Sequence, residues 1–361
     1  PDIMTSYVLD AMGRTLLENT SAGGLALARS NQYDLAGRLI KSVDAAGLET
    51  LYSYVDDGRR IETIIRPGGA TEITEKYLDG RVKSVTGTGV MSRFFDYGVN
   101  SDGSQWTLVH TGSEDSLLWE QTTTDMLGRT IRVEKPGFGD TLLTTTHEYN
   151  EQGQLNATRH WHGDPPASLT QPPTLYEYDE LGRAFRTALD VDDNGEISLD
   201  APDRINESST QYVYTGGRWW ETVVSRIYAG EGDDTPTTVN TQWRNLSGSG
   251  CGCSARVGKT VDAYGNPTTT TEAFDPENKT ATIDQDVPYS GTDAVSVTVN
   301  GLLQSRTTPT GLTTTYAYDA LGRGLGTTDP RTGTSPVHYN TAGQVDWTED
   351  AATNRTTYTY D

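Results

Sequence analysis

One short phrase recurs along this 361-residue chain: tyrosine, an acidic or polar residue, two variable positions, glycine, arginine. It is clearest in Tyr33-Asp34-Leu35-Ala36-Gly37-Arg38, Tyr178-Asp179-Glu180-Leu181-Gly182-Arg183 and Tyr318-Asp319-Ala320-Leu321-Gly322-Arg323. Weaker copies centre on Gly13-Arg14, Gly58-Arg59, Gly80-Arg81, Gly128-Arg129, Gly153-Gln154, Gly217-Arg218 and Gly343-Gln344. Glycines 13, 37, 58 and 80, and again 301, 322 and 343, lie 21 to 24 positions apart. A fixed period of this length means one supersecondary unit copied along the chain, each copy burying its surface against its neighbours.

A unit has room for two strands of about six residues and two turns, and none for a helix of ten or more. In Thr313 to Gly333, alternating Thr-Thr-Tyr-Ala-Tyr runs into Asp319–Gly322, a second short strand follows, and Asp329-Pro330 opens the next turn. The aspartate can accept turn N–H bonds, and the glycine can take the left-handed conformation of short hairpin loops. Pairs such as Tyr52/Tyr54, Tyr176/Tyr178 and Tyr316/Tyr318 point to one strand face, so neighbouring units align them in ladders. The arginine can pair with the turn aspartate or stack on a tyrosine of the next unit. With 55 Thr, 19 Tyr and 38 Gly, and only 34% hydrophobic residues, the expected fold is all-β: a hairpin array forming a spiralling sheet or part of a hollow shell.

The net charge of −22 argues against nucleic acid as a partner, because phosphate binding needs a basic stripe. No apolar run approaches the roughly 18 residues of a membrane span. The first residues carry no starting Met or signal pattern and the last, Tyr358-Thr359-Tyr360-Asp361, stop inside a repeat, so a piece of a longer polypeptide is expected.

The Tyr-x-Tyr-Asp-x-x-Gly-Arg phrase at this period resembles the YD repeat of RHS-repeat proteins, found in bacterial polymorphic toxins, toxin-complex C components and the shells of animal teneurins. The resemblance runs over residues 7–361, one continuous repeat region within 1–361. It implies a β-sheet spiralling into a hollow shell, which in toxin members encloses a cytotoxic C-terminal domain and in others is an extracellular scaffold. Toxin members commonly close the shell with an Asp-Pro-x-Gly-Leu self-cleavage phrase; Asp329-Pro330-Arg331-Thr332-Gly333 lacks that order.

Insertions are expected at about 160–175, 188–207 and 230–255. The first holds His160-Trp161-His162 and two Pro-Pro pairs, an exposed aromatic loop or, with two His on one face, a partial metal site. The second, Asp190-Val191-Asp192-Asp193-Asn194-Gly195-Glu196-Ile197-Ser198-Leu199-Asp200, places oxygen ligands at positions 1, 3 and 5, glycine at 6 and an aliphatic residue at 8. That matches the first two-thirds of an EF-hand-type calcium loop. Asp190, Asp192, Asn194, Glu196 (through its carbonyl) and Asp200 are the candidate Ca²⁺ ligands. Position 12 is Ala201, so Asp200 or Asp203 must replace the bidentate glutamate. The alternative is a solvated acidic turn. In the third, Cys251 and Cys253 flank a glycine: a disulfide, two free thiols and a metal or intermolecular link all stay open.

No catalytic residue is assigned. Gly258-Lys259-Thr260 lacks the upstream glycine and following helix of a phosphate loop, and no G-x-S-x-G or H-E-x-x-H occurs. The expected function is a non-enzymatic scaffold of an exported bacterial protein, secreted or at the cell surface, forming part of a shell or an extracellular filament. Its partners would be the remainder of the polypeptide or neighbouring subunits, with an enclosed C-terminal domain as cargo. The alternative is an adhesion module, with some of Trp106, Trp119, Trp161, Trp219, Trp220, Trp243 and Trp347 stacking on surface glycans. An enzyme acting on extracellular polysaccharide is a third reading.

Overall fold

The computed structural model describes residues 3–57, 60–139, 141–200, 202–230, 233–246 and 256–360. These form thirty β-strands, from Met4–Leu9 to Arg355–Thr357, and no α-helix; Pro67–Gly69 is a single 3-10 turn. The sheet is one antiparallel meander in which sequence neighbours are space neighbours. One departure occurs: Ser168–Leu169 and Thr174–Tyr178 lie end to end along the same edge of Leu155–His162.

Each repeat turn follows from its sequence. In Asp319–Arg323, the Asp319 Oδ1 accepts the N–H groups of Leu321 and Arg323, both at 2.9 Å. Gly322 donates its N–H to the Asp319 carbonyl at φ +80°, a conformation that disfavours any side chain. Just past the turn the return strand holds one extra residue. Thr15 pairs with Leu9 and Leu17 with Val8, leaving Leu16 between them; Ile40, Ile131 and Leu325 are the same residue in other copies. Among the described residues nine hairpins carry this bulge. Alternate turns fall on opposite rims of the ribbon, and all nine lie on the same one, called here the Arg rim. A bulge bends its strand and raises the local twist, so a bulge repeated along one rim curls the sheet one way.

The two proposed uses of the arginine operate together. Arg129 Nε donates to Asp125 Oδ2 at 2.7 Å, while its guanidinium carbon sits 4.5 Å from the centre of the Tyr149 ring in the next repeat. Tyr149 in turn donates its hydroxyl to the Thr130 carbonyl at 2.7 Å. The same clamp recurs with Asp34, Arg38 and Tyr54, where the ring lies 4.5 Å from the guanidinium and its hydroxyl 2.9 Å from the Leu39 carbonyl. Arg14 lies over Tyr33, Arg81 over Tyr97 and Arg323 over Tyr339. Where glycine is followed by glutamine, the aspartate becomes asparagine: Asn150 Nδ2 donates to Gln154 Oε1 at 2.8 Å and Asn340 Nδ2 to Gln344 Oε1 at 3.1 Å. A neutral amide pair thus replaces the ion pair in the same place.

The wall is a single layer. Its accessible surface is 22239 Å², against about 14,000 Å² for a compact protein of this mass. Fully buried apolar residues are few, and five of them form a row across neighbouring strands: Ala157, Leu175, Ala188, Ile205 and Tyr228. That row lies beneath the second insertion. Of the third expected insertion, the described residues 233–245 form a strand, and the hairpin arms here are long, 12 and 13 residues: Arg204–Thr215, Arg218–Gly230 and Asp233–Asn245. Cys251 and Cys253 lie outside the described residues.

The ribbon winds round far enough to meet itself. A Cβ on Gly23 would stand 2.6 Å from that of Ala320, and one on Gly343 would be 3.1 Å from Leu27. About two dozen strand spacings of ~4.8 Å separate these hairpins along the sheet, a circumference of roughly 110 Å and a diameter of about 35 Å. Closed sheets of sixteen or more strands already leave an open channel.

Replacing Tyr149 by Phe keeps the ring over Arg129 and removes only the bond to Thr130. It should cost about 1 kcal/mol of local stability, read as roughly fivefold faster amide exchange in Thr130–Glu134 with distant repeats unchanged. A change spread evenly over the whole chain would contradict a repeat-by-repeat clamp.

Candidate functional site

The second insertion joins strands Ala184–Leu189 and Arg204–Thr215 and folds back over the sheet. Ile197 and Leu199 pack on the cluster of Ala188, Ile205 and Tyr228. Beside that cluster, Glu207 accepts Arg186 Nη2 at 2.7 Å, Arg226 Nη1 at 2.9 Å and the Tyr228 hydroxyl at 3.0 Å. Burial pushes the Glu207 carboxyl up, but these donors, Arg186 foremost, hold it below its ordinary range. The flap therefore covers a small apolar floor with an ionic border.

The turn of the flap is built by its own acidic residues. Asp190 accepts the N–H of Asn194 at 3.1 Å and of Gly195 at 2.9 Å, and its own N–H bonds to the Pro173 carbonyl of the preceding loop. Asp203 accepts Val191 N–H at 2.9 Å and Ser198 N–H at 3.1 Å, tying the end of the loop to its start. Asn194 bonds Asp192 through Nδ2 at 3.0 Å, and Glu196 N–H bonds Asn194 Oδ1 at 2.7 Å. Gly195 has φ +82°, which lets the chain reverse here.

Carboxylate oxygens of Asp190, Asp192 and Asp203 come within 4.8 Å of one another, the one group of potential metal ligands found among the described residues. Asp190 and Asp203 are 0% and 1% exposed, and no Lys or Arg forms an ion pair with either among those residues. Of the five sequence candidates, Asp190 and Asp192 join this group and Asn194 is hydrogen-bonded to both. Glu196 and Asp200 are exposed and their carboxylates lie outside it. Asp203, the alternative at the end of the loop, is the third member.

The electrostatics set this site apart from the repeat turns. In Asp34 the backbone N–H of Arg38, then its guanidinium, hold the carboxyl below its ordinary value, and Arg331 holds Asp329 down to about 2. Burial instead pushes Asp190 up, against the N–H bonds from Gly195 and Asn194, and Asp192 and Asp203 add to the rise. An oxygen cluster that resists its own charge suits a hard divalent cation, which takes carboxylate and carbonyl oxygens and relieves the repulsion.

Several of the other candidates make contacts within the sheet. Trp161 Nε1 donates to Thr146 Oγ1 at 2.9 Å, Trp220 packs edge-on to Trp243 at 6.1 Å, and Trp347 stacks on His338 at 5.3 Å. Trp106 covers Gly98 so closely that a Cβ there would lie 2.3 Å from its ring. Trp219, 51% exposed, rests against Tyr214. His160 bonds Thr145 Oγ1 at 3.0 Å and His147 bonds Thr158 Oγ1 at 3.2 Å, while His162 is exposed. No helix of the described residues is long and apolar enough to cross a membrane.

A one-layer antiparallel meander of hairpins, several of them clamped to the next by Asp, Arg and Tyr, defines a YD-type β-repeat wall. Residues 33–71 and 299–334 match the RHS Repeat family, so the chain carries RHS repeats in these two stretches. Among solved structures it is similar to the TcdB2-TccC3 crystal structure (TM-score 0.28, 10% identity) and to a Tc holotoxin pore of Photorhabdus luminescens (TM-score 0.30, 11% identity). These alignments cover 96% and 97% of this chain but 22% of each of the others. At such TM-scores the likeness does not carry the shape or role of those assemblies to this chain. No curated protein matches it.

The sign of the Asp190 shift has a measurable consequence. A carboxylate raised above its unfolded value leaves the loop most stable below that value and weakens it as pH rises through the folded pKa. In metal-free buffer, Val191, Asn194 and Gly195 should open more readily at neutral pH than near pH 4, after correction for intrinsic exchange. Turn aspartates such as Asp34 behave oppositely, their turns loosening as pH falls below about 4. Protection at 191–195 that rises with pH would contradict the assignment.

Proposed function

We propose that this chain is a non-enzymatic wall segment of an exported bacterial RHS-repeat protein, whose curved sheet shelters a guest polypeptide. The observation that carries this reading is the excess of accessible surface over a compact chain, in a ribbon that curls until residues 23 and 320 touch. Such a wall does its work by geometry: two surfaces, a lumen wide enough for an extended or small folded segment, and repeats that share load with their neighbours. An enclosed C-terminal domain of the same polypeptide is the guest this arrangement fits, and adjoining subunits or further wall are its other partners. The acidic charge of −22 suits a soluble particle working outside the cell.

Within the wall, Ca²⁺ held by Asp190, Asp192 and Asp203 would lock the flap down on the Ala188, Ile205 and Tyr228 floor. The support is chemical: three carboxylates converge, two of them buried and without a cationic partner among the described residues. The metal is structural on this reading, stabilising the place where the single layer thickens.

Two measurements test these statements. Electron-microscopic projections of the purified chain should show rings or short arcs around an open centre, and filled discs of the same mass would reject the wall. Terbium luminescence or calorimetry should detect one tight divalent site that protects residues 190–203 from exchange and is lost in Asp203→Asn. Identical exchange with calcium and with chelator would reject the metal while leaving the wall intact.

A further inference from the structure

The contact between the start and end of the ribbon joins opposite rims. The Gly23-Gly24 turn belongs to the rim opposite the Arg rim, whereas Ala320 and Gly343 lie in turns of the Arg rim. In its own seam the chain therefore packs a hairpin tip of one rim against a glycine-tipped turn of the other. Gly23, at φ +55°, leaves no room for a side chain there.

Exposure of the tip residues follows this contact. In the seam turn, Leu321 is half-buried, while Met12, Leu127 and Leu181, two residues after the aspartate of their own turns, are 80%, 78% and 76% exposed. Leu35, at the position of Ala320, is fully exposed. These apolar tips stand on a protein with little other reason to display them, and they recur along one rim at multiples of about 10 Å, two strand spacings. The opposite rim has the matching features at the same interval. A Cβ on Gly47, Gly68 or Gly69 would meet nothing within 4 Å, as is also true of Gly13 and Gly128 on the Arg rim, and Met91 and Phe138 project from nearby turns of the opposite rim, 71% and 97% exposed.

We propose that the Arg rim is a docking surface for the opposite rim of a second copy of this chain, and that the intramolecular seam is the template for that contact. The inference rests on the wall reading and extends it from one winding to a stack. Both halves of the interface are carried by one chain and use different surfaces, so the contact is head-to-tail and does not close on itself. Leucines inserting between glycine turns supply burial, and the common strand spacing of two ribbons sets their register.

Sedimentation velocity of the purified chain over a wide concentration range tests this. Wild type should self-associate with rising concentration, and the triple variant Leu35→Ser, Leu127→Ser, Leu181→Ser should associate at least about tenfold more weakly. The substituted side chains are exposed, and unchanged circular dichroism and unchanged rings in micrographs will show that the wall is kept. A photo-crosslinking residue in place of Leu127 should then join two copies through the turns at 44–47 or 66–69. A wild type that stays monomeric, a triple variant that associates as strongly, or cross-links only to the sheet face would each overturn the proposal. Loss of the ring itself would instead count against the wall.

Discussion

The arginine that follows the turn glycine in the best-formed repeats is the interaction on which the rest depends. Its Nε is fixed by the turn aspartate, its face covers a tyrosine one repeat on, and that tyrosine bonds the carbonyl of the residue next to the arginine. Each unit is thereby tied to its own turn and to its neighbour by the same side chain. Isolated surface ion pairs stabilise little, but here the aspartate already holds two backbone N–H groups, so the guanidinium is placed without much further loss of freedom. The Asn150–Gln154 and Asn340–Gln344 pairs keep the hydrogen-bonded bridge without charge, so shape rather than net charge is what the position requires.

From this clamp follow thinness and curvature. Units held edge to edge by strand pairing and a polar clamp have no need of a thick apolar core, which explains how a chain with 34% hydrophobic residues folds at all. The extra residue past nine of the Arg-rim turns bends the ribbon toward closure. The flap at 190–203 is the exception that shows the rule. Where the insertion supplies a second layer, Ala188 and Ile205 become almost fully buried.

Much of this was legible in the sequence because it is written locally. The Tyr-Asp-x-x-Gly-Arg phrase gives the hairpin, the turn chemistry and both contacts of the arginine from residues within about one period. The loop at 190–203 was legible in its first half, since the spacing of Asp190, Asp192 and Asn194 is local. The third carboxylate of its cluster was not: Asp203 and Asp200 are both acidic and near the right place, and only the path of the chain buries one and exposes the other. Within the insertion expected at about 230–255, spacing alone cannot tell a long strand from a loop; the alternating Thr and Val of Asp233–Asn245 is the signal for a strand there. The seam is beyond any local pattern. It joins positions 23 and 320, and it depends on the small bend at each of nine bulges summed over the ribbon.

That sum is the central claim, and an inter-label distance measures it. With the two native cysteines replaced by serine, spin labels at Leu25 and Thr341 report the separation of the two hairpins that meet at the seam. A ribbon curled as described predicts a distance within roughly 20 Å, whereas the same strands laid out as an open ribbon would separate the labels by roughly 100 Å. A narrow short distance supports winding by repeated bulges; a broad distribution centred far beyond the short value would contradict it.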